Sequence, residues 1–363
     1  MLGKRYDRPF LIIVATLVIF GFLSLFSASM GITAKDGNDF YGHIFRQVSL
    51  GLGFGGMLFF VGVRTPYKFW RRIALPIFIF GLIITALVFE PHVGFEHGGA
   101  RRWLNFGFLF FQPSEFLKFG VIVYLASWIA TRREDIRSVY YGLVPFLLIV
   151  GLAGGLLIAQ PDIGTLGVVA FTALFMYIVG GAPRWHIATV ILLGISLVTM
   201  LIILEPYRME RFTVFLNPGS DLRDTGYQLH QSVIAIGSGG IFGRGFGQSV
   251  QKFEYLPEPT TDSIFSVVAE EWGFVGAVAL VILFLVFLWR GLRIAKEAPD
   301  VFGRLMAYGI VILIVVQAFA HIGALSGMIP LTGLPLIFVS KGGSSLAISL
   351  FQIGVMLNIS KQS

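Results

Sequence analysis

Residues 1–28 read MLGKRYDRPFLIIVATLVIFGFLSLFSA. Lys4, Arg5 and Arg8 precede an apolar run of about 20 residues, the length a helix needs to cross roughly 30 Å of hydrocarbon. A secretory signal core is shorter, so the run predicts a first membrane-spanning helix that is retained. The rest of the chain has the same character. Its 363 residues are 56% hydrophobic and 13% charged, with a mean hydropathy of +0.81. Such a composition excludes a water-soluble core and predicts an all-α, polytopic integral membrane protein. Cysteine is absent, which rules out disulfides, thiolate metal sites and a cysteine nucleophile.

Further apolar stretches lie near 44–63, 73–89, 113–130, 141–159, 164–181, 186–204, 263–289, 302–325 and 343–358, so that about ten spanning helices are expected. Basic clusters fall at every second connection: Lys4/Arg5/Arg8, Arg64/Lys68/Arg71/Arg72, Arg132/Arg133/Arg137, Arg184 and Arg290/Arg293/Lys296. Positive charge marks the cytoplasmic side, which puts both termini inside. These clusters also account for the formal charge of +7, so no nucleic-acid partner is inferred. Two of the outward connections are long, residues 90–112 and residues 205–262, the latter a large outer loop between the seventh and eighth helices. Within it, YQLHQSVIAIGSGGIFGRGFG (227–247) is too broken by glycine to span and predicts a re-entrant or interfacial helix with a loop. Neither heptads nor repeats divide the chain, and residues 1–363 read as one membrane domain.

Outer loops of this length in a compact protein carry function. The stretch YLPEPTTDSIFSVVAEEWGFVG (255–276) sets Asp262 at the lip of an apolar segment. A carboxylate there is ordinarily a helix cap, which lowers its pKa and weakens it as a base. Pro257, Pro259, Thr260 and Thr261 stiffen the approach and would hold the carboxylate in place. Glu270 and Glu271 lie about 12 Å deeper by helical rise, as structural partners or as polar lining. Gln112, Glu115 and Lys118 recur every three residues on one helix face. They form either an internal ion pair or a polar stripe lining a cavity, with Lys118 and an outer arginine available to an anionic diphosphate. QPDIGT (160–165) offers Gln160 and Asp162, where a simple turn and cap is the alternative. In MIPLTGLPLIFVSKGGSS (328–345), proline and glycine forbid a regular helix, and Ser340, Gly342, Gly343, Ser344 and Ser345 could offer backbone N–H groups to an anion. The order Lys-Gly-Gly-Ser-Ser is not a Walker A loop, and the histidines lack metal-ligand spacing.

Taken together these segments resemble the SEDS family of polytopic peptidoglycan glycosyltransferases, which includes FtsW, RodA and SpoVE. The resemblance rests on FRQ (45–47), GARRWLN (99–105), FQPSEFLK (111–118), QPDIGT (160–165), and the runs 227–247, 255–276 and PLTGLPLIFVSKGGSSL (330–346). GQSVQKFEYLPE (247–258) is closer to the division members of the family than to the elongation members, which more often have phenylalanine where Tyr255 stands. Several positions depart from the family pattern: Pro259 and Thr260 replace a small residue followed by histidine, Ser263 replaces phenylalanine, His321 replaces asparagine, Ile337 replaces proline and Lys341 replaces tyrosine.

The resemblance implies that the substrate is lipid II, polymerised into β-1,4 glycan on the outer face of the bacterial cell membrane, at the division septum. Asp262 matches the family's essential aspartate and would be the general base. Arg46, Arg102 and Lys118, with Lys341 particular to this chain, would stabilise the leaving diphosphate. Glu115 and Asp162 would orient these cations or sugar hydroxyls. No organic cofactor is implied; a divalent cation, Mg or Mn, could share the stabilisation, although no acidic cluster identifies its site. The implied partners are a class B penicillin-binding protein transpeptidase and other division proteins. A lipid II flippase, an elongation polymerase and a non-enzymatic division scaffold are the alternative readings.

Overall fold

In the computed structural model, residues 6–36, 47–97, 100–105, 107, 110–217, 225–253 and 255–362 are described. Seven helical segments among them are long and apolar enough to span a bilayer. They lie in α1 (Arg8–Asp36), α4 (Pro113–Thr131), α5 (Val144–Ala159, extended back to Val139 by a looser turn), α7 (Arg184–Leu204), α10 (Ile264–Glu297), α11 (Val301–Leu325) and α12 (Gly343–Gln362). The other three expected segments are shorter apolar helices: α2 (Gly55–Arg64, preceded by a wider turn from Gln47), α3 (Ala74–Ala86) and α6 (Ile163–Val179). Helices therefore occupy all ten expected places, but length alone makes spans of seven.

The two long connections are not loops. Between 94 and 111 lie the three strands of an antiparallel sheet, β1 (Gly94–His97), β2 (Ala100–Asn105) and β3 (Phe110–Phe111). Its register pairs Gly94 with Leu104 and Leu104 with Phe111. This corrects the all-α expectation locally; strands this short show too little alternation to be read from sequence. Within 205–262 stand two further helices, α8 (Pro206–Leu216) and α9 (Thr225–Ser238), the second where a non-spanning helix was expected.

The start of each helix follows local chemistry. Pro113 opens α4, where its missing N–H costs nothing. Asp162 caps α6 by accepting the Thr165 N–H at 3.2 Å, and Asp300 caps α11 through Gly303 at 2.7 Å. The core centres on α11 and α12, whose apolar windows are 78% and 83% buried, whereas α7 is only 6% buried. Small residues let α12 approach α2 closely: a Cβ on Gly354 would fall 2.3 Å from the Phe59 carbonyl, and one on Gly62 would fall 2.6 Å from that of Phe351.

The bundle has two chemically distinct ends. At one, Asp7 pairs with Arg290 at 2.8 Å and its N–H reaches Ser360, while Tyr67 bonds Asp300 and Asn358. This is the end that carries the basic clusters. The other end gathers the sheet, α8, the Asp162 turn and the segments around Asp262 and Ser340.

The 34-residue α10 is interrupted at Gly273, which takes φ 67°, ψ −164°. A break of this kind orphans backbone groups, which must find partners inside a bilayer. The glycine-rich turn after α9 supplies them. The N–H groups of Arg244 and Gly245 donate to the carbonyls of Glu270 and Glu271 (both 3.0 Å), and Phe274 and Val275 donate to Gly240 and Ile241 (2.8 and 3.1 Å). Side chains would not fit, since a Cβ on Gly243 would lie 2.1 Å from the Glu271 carbonyl and one on Gly273 would lie 2.2 Å from the Gly243 nitrogen.

Both glutamates are used structurally. Glu270 accepts from the Ser249 hydroxyl (2.5 Å) and from the N–H groups of Val250 and Gln251. Glu271 accepts from Ser27 and pairs with the fully buried Lys252 at 2.8 Å.

Candidate active site

Pro257 to Ser263 form a tight, internally bonded approach to α10. The Thr261 and Ser263 N–H groups donate to the Glu258 carbonyl, and the Ser263 hydroxyl donates to Pro257 at 2.7 Å. Glu258 holds a left-handed backbone at φ 47°, a conformation costly for a residue with a side chain and concentrated at functional sites. The proline- and glycine-rich segment 330–342 lies against this approach. Lys341 N–H donates to the Thr260 carbonyl (2.8 Å), and the Ser340 hydroxyl donates to Thr261 (2.7 Å).

Asp262 stands where these two segments meet. It is not the helix cap that its position suggested: α10 begins at Ile264, Ser263 occupies the cap position, and no side-chain cap bond forms. Its carboxylate instead borders a small, partly open cavity lined also by Gln228, His321, Thr332, Gly333 and Leu334. Burial pushes its pKa up to about 6. Within that rise Glu258 and, more weakly, Asp162 act in the same direction as burial, while Arg102 and Arg211 offset part of it.

Arg102 reaches this setting from β2 and donates to the carbonyls of Gln160 (3.4 Å) and Pro161. Arg211, on α8, donates to the Leu331 carbonyl at 3.1 Å. Sequence reasoning missed Arg211 because the part of 205–262 that precedes the helix expected at 227–247 was read as loop. The amphipathic PYRMERFTVFL is the signal that could have exposed it.

The other expected residues divide. Asp162 is buried, with one carboxylate oxygen capping α6 and the other, Oδ2, unpartnered among the described residues. Gln160 donates to the Thr85 carbonyl at 2.8 Å and Gln112 is buried just before α4. Lys118 does not line the cavity beside Asp262. It is 1% exposed, and its ammonium is held by Glu115 (2.8 Å) and Gln317 (2.7 Å). Gln317 in turn donates to Pro335, so the polar stripe ties α4 to α11 and to the 330–342 segment.

The anion nest expected around Gly342 is also partly occupied from within. Gly342 N–H donates to Gln47 at 3.0 Å and Lys341 N–H is used by Thr260. Gly343 opens α12, while Ser344 keeps a buried hydroxyl without a partner among the described residues. Arg46 lies outside the described residues. Among those described, no group of three or more acidic or histidine side chains converges to hold a metal ion.

A polytopic membrane protein with one raised-pKa aspartate in a small cavity, flanked by two arginines from separate elements, is the class these features define. The chain belongs to the FtsW/RodA/SpoVE family: the family model, described as "Cell cycle protein", matches residues 7–363. It is 39% identical to "Stage V sporulation protein E" of Bacillus subtilis (strain 168), over all of both chains. It is 38% identical to "Probable peptidoglycan glycosyltransferase FtsW" of Trichlorobacter lovleyi, covering 98% of this chain and 93% of that one. Among solved structures it superposes on a chain of a peptidoglycan synthase complex that coordinates polymerization and crosslinking, with TM-score 0.81, 30% identity and coverage of 98% and 97%. The rod shape determining protein RodA of Thermus thermophilus matches with TM-score 0.72, 32% identity and coverage of 98% and 96%.

Proposed function

We propose that this protein is a peptidoglycan glycosyltransferase that polymerises lipid II into β-1,4 glycan on the outer face of the membrane, with Asp262 as general base. The observation that carries the reading is the Asp262 carboxylate itself, released from capping and raised to a pKa of about 6 beside Arg102 and Arg211. A base with a pKa just below neutrality is ionised at working pH yet still basic enough to take a proton.

In the proposed step, the acceptor sugar's 4-hydroxyl gives its proton to Asp262 as its oxygen attacks the donor's anomeric carbon. The bond from that carbon to the diphosphate oxygen breaks, and its electron pair leaves with the diphosphate. Attack opposite the leaving group converts an α-linked donor to a β-linked product. Diphosphate departs as a stable anion, so no second carboxylic acid is needed, in contrast to the paired acids of glycosidases. Arg102 and Arg211 carry the charge stabilisation in this reading. Lys118 supports the cavity wall instead.

Asp262→Asn keeps the side chain's shape and removes the base. The expected result is normal membrane insertion and no glycan from purified lipid II, measured by gel separation of the polymer; polymerisation near the wild-type rate would overturn the assignment. The neighbouring synthase-complex structure supports a class B penicillin-binding protein as partner. The relatives that carry the FtsW name support a role at the division septum. Depletion is expected to give filaments; spheres would point to elongation instead.

A further inference from the structure

The cavity beside Asp262 has a second polar wall that the mechanism above does not use. His321, on α11, is 2% exposed, and its Nδ1 lies 2.6 Å from the Leu334 carbonyl oxygen. A carbonyl can only accept, so Nδ1 carries the proton. In the neutral ring this leaves Nε2 with a lone pair, and Nε2 is buried without a partner among the described residues. Buried acceptors are costly to leave unpaired. His321 and Asp262 line the same cavity, so both of these walls present acceptors and a ligand between them must bring donors.

We propose that His321 is a substrate-binding residue whose Nε2 accepts a hydrogen bond from an O–H or N–H of the acceptor sugar, holding that sugar beside Asp262. This rests on the glycosyltransferase reading above and deepens it. Within the family resemblance this histidine stands where asparagine is usual. Asparagine can reproduce the Nδ1–H bond to Leu334 but has no atom at the Nε2 position. Glutamine does the reverse, reaching the Nε2 position and losing the Leu334 bond.

The test uses the full-length chain in detergent with purified lipid II, comparing wild type, His321→Asn and His321→Gln. Turnover gives kcat and KM, equilibrium binding of fluorescent lipid II in the cold gives Kd, and thermal unfolding gives Tm. His321→Asn is expected to keep its Tm and raise KM and Kd about three- to tenfold, the loss of one hydrogen bond. His321→Gln is expected to lower Tm and keep KM and Kd nearer the wild type. Unchanged KM and Kd in His321→Asn, or losses in both variants that follow Tm alone, would overturn the proposal. A wild-type chain that binds lipid II without polymerising it would instead sink the enzymatic reading, and Kd would still decide the role of His321.

Discussion

Asp262 and Lys118 show how environment decides what a charged residue can do. Both were readable as chemistry, yet of the two only Asp262 borders the cavity described above. Lys118 has its charge matched by Glu115 and a second acceptor in Gln317, so it holds a wall together. Asp262 is penalised as an anion by burial and by Glu258, and only partly relieved by Arg102 and Arg211. Two results follow from a pKa near 6. Activity should be low where the carboxylate is protonated, falling about tenfold per pH unit below roughly pH 6 and levelling above it; a pH profile of kcat/KM checks this.

Stability should run the other way. A carboxyl whose folded pKa lies above its unfolded value favours folding while protonated. That contribution is full below the unfolded pKa and is lost as pH rises through about 6. At pH 7.5 the ionised Asp262 therefore costs on the order of 1–3 kcal/mol, and Asp262→Asn should melt higher than wild type. The difference should shrink as pH falls through 6 and vanish near 4, as thermal unfolding across that range would show.

At the scale of elements, the break in α10 is the clearest case of sequence and structure meeting. The run GSGGIFGRGFG was legible as something too interrupted to span. Its purpose was not, because the reason for each glycine lies in another helix: the carbonyls of Ala269 and Glu271 sit where side chains would go. The same holds for Lys252, which reads as an ordinary loop cation and is in fact buried against Glu271 and Ser27.

This pairing makes a specific prediction. Glu271→Ala strands a buried ammonium and should cost about 3–5 kcal/mol. Adding Lys252→Met removes the stranded charge and should recover most of the loss. Thermal unfolding of the single and double variants measures the difference. A double variant as unstable as the single one would mean that the α10 break, not the ion pair, is what fails.

Across the whole molecule, hydropathy made the bundle legible and short-range pattern did not. Apolar runs located every long helix because solvation by lipid leaves few other solutions. The small sheet escaped because strands of two to six residues carry weak alternation, and α8 because its amphipathic pattern runs for only 11 residues inside a stretch read as loop. The site was legible in part: its aspartate and Arg102 stood in recognisable runs, whereas Arg211 and His321 come from segments whose approach to Asp262 depends on the packing of α8 and α11.

The division of the bundle into a basic end and an Asp262 end fixes how the chain must sit if the proposed lipid-linked donor is to reach Asp262 from the outer face. Positive charge around Arg290 and Arg293 belongs to the cytoplasm, which turns Asp262 outward. The chain contains no cysteine, so one introduced thiol can report each end. Thr261→Cys, beside the base, should react with a membrane-impermeant maleimide added to intact cells whose outer layers have been permeabilised. Arg293→Cys, whose parent side chain is 53% exposed, should react only after the inner membrane is opened. The opposite pattern would invert the topology and remove Asp262 from any substrate polymerised outside.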